Sequence, residues 1–224
     1  MQEATRLFVL RHGRTAWNAQ GRIQGQLDAP PDTPRDTPLD TLGRWQAERL
    51  ALALTEAAAD EPMAAIYSSD LQRALHTAQP LAARTGLPLR CDVRLRERGF
   101  GSFEGRTHAE IEAAWPEAAL RWRRRDVDFQ PGGGEALRPF FARCVGAVHA
   151  LAALHPGQTI AIFAHGGVLD CLYRAAVGVA LDAPRSWQLG NASINRLLFN
   201  GEGLSLVGWN DDAHLLGDEG APAP

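Results

Sequence analysis

The sequence predicts an α/β fold, a mostly parallel sheet with helices on both faces. Three observations predict it. Short apolar or β-branched runs alternate with helix-patterned stretches along the chain. Capping residues and glycines punctuate the helical stretches. The clearest buried strand, TIAIFAHG (159–166), runs straight into a Gly-Gly turn and another helical stretch.

LFVLR (7–11) is the first strand, followed by a polar loop. TLGRWQAERLALALTEAAA (41–59) is helical, with Asp40 or Thr41 available as its cap. AAIYSS (64–69) is the second strand, and residues 70–86 form a helix opened by Asp70 and closed by Gly86. LPLRCDVRL (87–95) reads as a strand. Residues 107–125 read as a helix broken at Pro116, and PGGGE (131–135) as a turn into a helix ending near 154. After 159–166 comes the helix GGVLDCLYRAAVG. SINRLLFN and LSLVGWN then form a hairpin about Gly201–Gly203.

Composition sets the bounds. The chain has 224 residues, 45% hydrophobic and 22% charged, with a net charge of −3, enough for one sizeable core. One domain over 1–212 is expected, with 213–224 a flexible tail. The slightly acidic total argues against nucleic acid or an anionic membrane as partner, so any anion site is local. No run of 18 apolar residues exists, and the N-terminal apolar run is too short for a signal peptide. Cys91, Cys144 and Cys171 are odd in number and widely spaced, which points away from a disulfide framework or zinc site and towards the cytoplasm.

In folds of this class ligands gather outside the carboxyl ends of the strands. Arg11 and His12 end the first strand, Ser68 to Asp70 end the second, and Arg73 lies in the first turn of the helix that follows. Glu97 closes the third strand, and His165 ends the fourth, before Gly166 and Gly167. Singly, each has a structural reading: a hydrogen-bonded histidine, a solvated arginine, a glutamate paired with Arg94, Arg96 or Arg98. Jointly, they favour one site. If residues 94–98 are extended, Glu97 and Leu95 point one way and the three arginines the other, which turns Glu97 to the crevice.

Two guanidiniums offer forked donors for phosphate oxygens, and helix N-termini such as that at Gly166 add backbone N–H groups. A neutral imidazole held unprotonated by nearby positive charge can attack phosphorus, and a carboxylic acid can protonate the leaving oxygen. Other phosphoryl chemistries lack their motifs. There is no GxxxxGK[ST] loop, no cysteine with an arginine six residues on, and no histidine/aspartate set with metal-ligand spacing. DVDFQ (126–130) follows a basic helix rather than an apolar strand, so its DxD reads as a loop.

RHGRTAWN, SSDLQRALHTA, RERGFGSFEG, PGGGE and FAHGG, five motifs in order across residues 5–212, resemble the histidine phosphatase superfamily, the phosphoglycerate mutase-like family. The resemblance implies a three-layer α/β/α sandwich and a phosphohistidine intermediate on His12. It implies that Arg11, Arg73 and His165 bind the transferring phosphoryl group and that Glu97 is the acid/base. Asn18 matches the asparagine of the family's first motif, and Thr15 and Gln24 are further pocket candidates. GFGSFEG and AHGG are similar to the phosphatase branch rather than the mutases.

WRRR (122–125) faintly resembles a mutase segment that holds the substrate carboxylate, but reads better as a solvated, basic helix end. GQLDAPPDTPRDTPLDTLG carries a proline-rich insertion at about 29–38, read as a surface loop. The expected activity is metal- and cofactor-free hydrolysis of a small phosphorylated metabolite, with a homodimer as the candidate assembly. Phosphoglycerate mutase activity is the alternative, and a non-catalytic phosphate-binding protein on the same fold is a third reading.

Overall fold

The computed structural model describes residues 3–28, 37–57, 62–216 and 222. Most of the proline-rich insertion and most of the expected tail lie outside the described residues. Of the tail, Ala213–Leu215 form one 3₁₀ turn.

In chain order the elements are β1 (Thr5–Arg11), α1 (Ala16–Ala19), α2 (Thr41–Ala57), β2 (Met63–Ser68), α3 (Gln72–Thr85) and β3 (Leu89–Cys91). Then come α4 (His108–Ala114), α5 (Pro116–Arg123), α6 (Leu137–Ala152), β4 (Thr159–Ala164), α7 (Gly166–Val177), β5 (Ile194–Phe199) and β6 (Leu204–Asp211). The sheet order is β3-β2-β4-β1-β5-β6. The first four strands are mutually parallel, whereas β5 runs antiparallel to β1 and forms a hairpin with β6.

Side chains alternate across a strand, so each central strand feeds two cores. Leu7, Val9, Ala65, Tyr67, Ile160 and Ile162 face α6 and α7, joining Phe140, Cys144, Val148, Leu169 and Leu172. Leu10, Ile66, Ala161 and Phe163 face the other way, against Leu50 and Leu54 of α2 and Ala78 and Leu81 of α3. The result is the three-layer α/β/α sandwich that the motifs imply. Each fully buried Leu or Ile contributes roughly 1.5–3 kcal/mol of transfer free energy. A smaller core of Phe103, Ile111, Ala119 and Phe129, flanked by Trp115 and Trp122, carries α4 and α5.

Local chemistry explains where the elements stop. Asp40 caps α2, its Oδ1 accepting from Gly43 N–H at 2.7 Å. Gly86 ends α3 in the left-handed conformation, φ 70°. Trp115, restricted by the following proline, separates α4 from α5.

Two expectations need correction. Asp70 does not open α3; it is held by Arg96 at 2.7 and 2.5 Å, and the free N–H of Gln72 is met by Asp28 at 3.1 Å. The expected strand 87–95 is only Leu89–Cys91, because the Asp92 side chain accepts from Arg94 N–H at 2.9 Å and starts a 3₁₀ turn at Val93–Leu95.

Candidate active site

Strands β2, β4 and β1 are neighbours, so their carboxyl ends bring Ser68, His165, Arg11 and His12 to one edge of the sheet. A cleft of about 610 Å³ opens there, walled by the α4–α5 layer on one side and the chain after α7 on the other.

His12 lines that cleft with its backbone fixed from several sides. Its N–H donates to Ala164 O at 3.0 Å, and its carbonyl accepts from Asn191 Nδ2 at 2.9 Å. The next N–H, of Gly13, donates to Thr77 Oγ1 at 2.9 Å. Gly13 is required by packing: a Cβ there would sit 2.5 Å from Gly43 O at the start of α2. The His12 Nδ1 lies 2.8 Å from Gly13 O, which can only accept. The proton therefore resides on Nδ1 and the lone pair on Nε2.

Around His12 the structure gathers cations and unprotonated rings. Arg73 is buried and Arg11 half-buried; Arg73 donates to Gly25 O at 2.7 Å and Leu27 O at 3.1 Å, and Arg11 to Leu189 O. Among the described residues, Arg11 Nε, Arg73 Nε and both ring nitrogens of His165 are buried with no protein partner. Burial pushes both guanidiniums down to about 10, against the opposing charge of Glu97, which still leaves them cationic at neutral pH. Burial, then Arg73 and Arg11, push the His12 imidazole well below its ordinary 6.5. Burial, Arg73, His12 and Arg11 do the same to His165, whose ring centroid is 5.3 Å from that of His12.

Glu97 faces the cleft, though not through the extended geometry expected. It follows the 3₁₀ turn, and its carboxylate accepts from Gly167 N–H at 2.9 Å and Arg98 N–H at 2.8 Å. Its arginine neighbours are engaged elsewhere. Arg94 holds Asp92 and Arg96 holds Asp70, while Arg98 donates to Glu135 O and Phe129 O. Gly167 admits the carboxylate to the start of α7, since a Cβ there would lie 2.2 Å from Glu97 Oε1.

The motifs around Glu97 hold its segment. Glu135, of PGGGE, binds Arg143 at 3.0 and 2.7 Å. That arginine donates in turn to Arg94 O at 2.7 Å and Arg96 O at 3.0 Å. Gln26 Nε2 donates to Glu97 O at 2.9 Å, and Glu104, of GFGSFEG, accepts from Gln26 N–H at 3.0 Å.

Asn18, Gln24 and Gly166 line the cleft. Thr15 does not; it is buried behind Asn18 as the cap of α1, accepting from Asn18 N–H at 3.2 Å. The WRRR run (122–125), read from the sequence as a solvated helix end, supplies lining to the cleft instead. Arg123 and Arg125 of the WRRR run both reach the cleft, with Arg125 at a positive φ of 54°. That left-handed step turns Arg125 back to Asp170 at 2.8 Å and Leu181 O at 2.8 Å. Arg185 also reaches the lining and donates to Asp170 at 2.9 Å. The arginine run marks Arg123 and Arg125 in the sequence but not their surroundings, because Asp170, Arg125 and Arg185 meet only in the fold. Among the described residues, no group of three or more His, Cys, Asp or Glu is arranged to hold a metal ion.

Comparison with known proteins places the chain in a family. Residues 7–212 match the family model of the histidine phosphatase superfamily (branch 1). The chain is 38% identical to phosphoglycerate mutase-like protein 4 of Arabidopsis thaliana, covering 93% of this chain and 86% of that one. It is 40% identical to glucosyl-3-phosphoglycerate phosphatase of Mycolicibacterium vanbaalenii, covering 84% and 81%. A solved mycobacterial glucosyl-3-phosphoglycerate phosphatase complexed with VO3 superimposes with a TM-score of 0.78 at 38% identity, over 92% of this chain and 99% of that one.

Proposed function

This chain belongs to the histidine phosphatase superfamily as a small-molecule phosphatase, and we propose that it acts through a phosphohistidine on His12. The observation that carries the reading is the neutral, singly oriented imidazole of His12, set beside the Nε atoms of Arg11 and Arg73 and the His165 ring nitrogens, buried polar atoms with no protein partner. In the proposed first step His12 Nε2 attacks phosphorus. The N–P bond forms as the P–O bond breaks, and Glu97, as the acid, gives its proton to the departing oxygen. Arg11, Arg73, His165, the Asn18 amide and the Gly166 N–H hold the phosphoryl oxygens. Thr15 serves by fixing Asn18, and Gln24 borders the pocket. Water then attacks phosphorus with Glu97 taking its proton, which frees His12 and inorganic phosphate. The sequence uses no metal.

The cleft as a whole is lined by seven arginines and two carboxylates, and the leaving alcohol sits in the part beyond the phosphoryl pocket. Arg185 has a side chain 42% exposed there, and a relative acts on glucosyl-3-phosphoglycerate, whose glycerate part carries a carboxylate. Both support substrates with an anionic group on the alcohol. No helix among the described residues is long and apolar enough to cross a membrane. The free cysteines Cys91, Cys144 and Cys171 support residence in the reducing cytoplasm.

A screen of phosphomonoesters tests the reading, pairing carboxylate-bearing with neutral alcohols and measuring both released phosphate and isomer formation. Phosphate release from several small esters is expected, fastest for the acidic alcohols, with little exchange between 3- and 2-phosphoglycerate. Rapid interconversion stimulated by bisphosphoglycerate would instead make the protein a mutase.

A further inference from the structure

The turn between α7 and β5 touches three groups of the phosphoryl pocket at once. Leu189 O accepts from Arg11, Ala192 N–H reaches Arg11 O at 3.1 Å and His12 O at 3.3 Å, and Asn191 reaches both His12 and Asn18. The turn is itself pinned. Asn210 Oδ1 accepts from Gly190 N–H at 2.6 Å, Asn195 Oδ1 accepts from Asn210 N–H at 2.8 Å, and Asn195 Nδ2 donates to Val9 O at 3.0 Å. Ala192 holds a positive φ of 55°, a conformation that alanine adopts only when its surroundings impose it, and Asn210, at 52°, is of a type that adopts it readily.

Within this turn, the Asn191 side chain makes an unusual pair of bonds. Its NH₂ group has two hydrogens and meets two acceptors, His12 O at 2.9 Å and Asn18 Oδ1 at 3.3 Å. Asn18 Oδ1 is also the acceptor for Thr15 N–H and Thr15 Oγ, each at 3.1 Å. Three donors thus converge on an oxygen with two lone pairs. Turning the Asn18 amide over would place its NH₂ against them. The amide is therefore held with Oδ1 inward, and Nδ2 is the end left for the cleft that Asn18 lines.

We propose that Asn191 is a positioning residue of the phosphoryl pocket, which fixes the Asn18 amide with its nitrogen towards the phosphate and ties that setting to the backbone of His12. The inference rests on the phosphatase reading above. It differs from a plain turn-stabilising role in predicting that the effect passes through Asn18. An orientation fault at a donor to a charged oxygen costs on the order of 10-fold in affinity, since hydrogen bonds to charged groups are the strong ones.

The test is a double-mutant cycle on Asn191→Leu and Asn18→Ala, with Asn191→Ser as a second, smaller replacement. Each protein is read by the dissociation constant for inorganic phosphate, by kcat and KM separately, and by its melting temperature. Asn191→Leu and Asn191→Ser are expected to weaken phosphate binding about 10-fold. In the Asn18→Ala background the same changes should cost less than about 2-fold. Equal losses in both backgrounds would make Asn191 a structural residue only, as would a loss that tracks melting temperature across both replacements; no loss at all would also overturn the proposal. A wild-type protein that binds no phosphate and forms no phosphoenzyme would remove the phosphatase reading together with this one. Phosphate binding sensitive to Asn18→Ala but uncoupled from Asn191 would remove this inference alone.

Discussion

At the scale of single residues, Glu97 separates a chemical role from a structural one. Its three arginine neighbours have other partners, and its carboxylate is held by two backbone N–H groups at the lip of the cleft. A general acid contributes typically ~10²–10⁴-fold, and more where the leaving group is poor. Glu97→Gln should therefore slow single-turnover transfer from an alkyl phosphate far more than from p-nitrophenyl phosphate, whose leaving group hardly needs a proton. With the activated ester, loss of the base that aids water attack should also produce a burst of nitrophenol. Equal and small losses on the two esters would leave Glu97 a packing residue.

At the scale of elements, the start of α7 is where structure and chemistry constrain each other most closely. Alanine would ordinarily favour a helix over glycine, yet at position 167 its Cβ would meet Glu97 Oε1 at 2.2 Å and Phe140 Cε1 at 3.1 Å. The carboxylate is a movable side-chain end, so it should give way rather than the helix. Gly167→Ala is expected to change stability by less than about 1–2 kcal/mol while lowering kcat by about 10-fold or more. Denaturation midpoints and kcat on an alkyl ester read the two effects separately. A large stability loss with normal kcat in the folded fraction would contradict this account of the glycine.

Elements also show where sequence patterns lead and where they fail. Strand β4, α7 and the site residues at strand ends were legible because apolar runs, glycines and basic groups sit next to one another in the chain. Asp70 misled as a cap because the true partner of Gln72 N–H, Asp28, is remote in sequence. The third strand is shorter than its pattern because one aspartate, Asp92, redirects the backbone locally. Arg125 reads from the sequence as part of a solvated helix end because a positive φ at a non-glycine residue, which turns it inward, carries no sequence mark. The Asn191 contact depends on a turn that folds back 179 positions to His12. Side-chain convergence of that range is invisible to periodicity.

At the scale of the whole molecule, the site is built at a cost in acid stability. Burial, reinforced by Arg73 and Arg11, holds the His12 and His165 imidazoles well below 6.5 in the folded protein. In the unfolded chain the same rings take up protons near 6.5, so below that pH the unfolded state binds more protons. Stability is therefore full above about pH 6.5 and lost as pH falls. Two such histidines together account for a loss of about 2–3 kcal/mol between pH 7.5 and 5.5. Urea denaturation in phosphate-free buffer should show this drop for the wild type and a much smaller one for His12→Asn/His165→Asn. An equal drop in both proteins would place the acid sensitivity elsewhere.

The central claim, covalent catalysis at His12, is tested most directly by trapping the intermediate. Turnover of p-nitrophenyl phosphate is quenched in alkali, with chelator present throughout, and the labelled peptide is identified. Wild-type protein, and more strongly Glu97→Gln, should carry one phosphoryl group on the peptide containing His12, stable to alkali and lost in acid. His12→Ala should fold with the wild-type circular dichroism spectrum yet show neither label nor turnover. Undiminished turnover by His12→Ala, or a phosphoryl group on any other residue, would contradict the account.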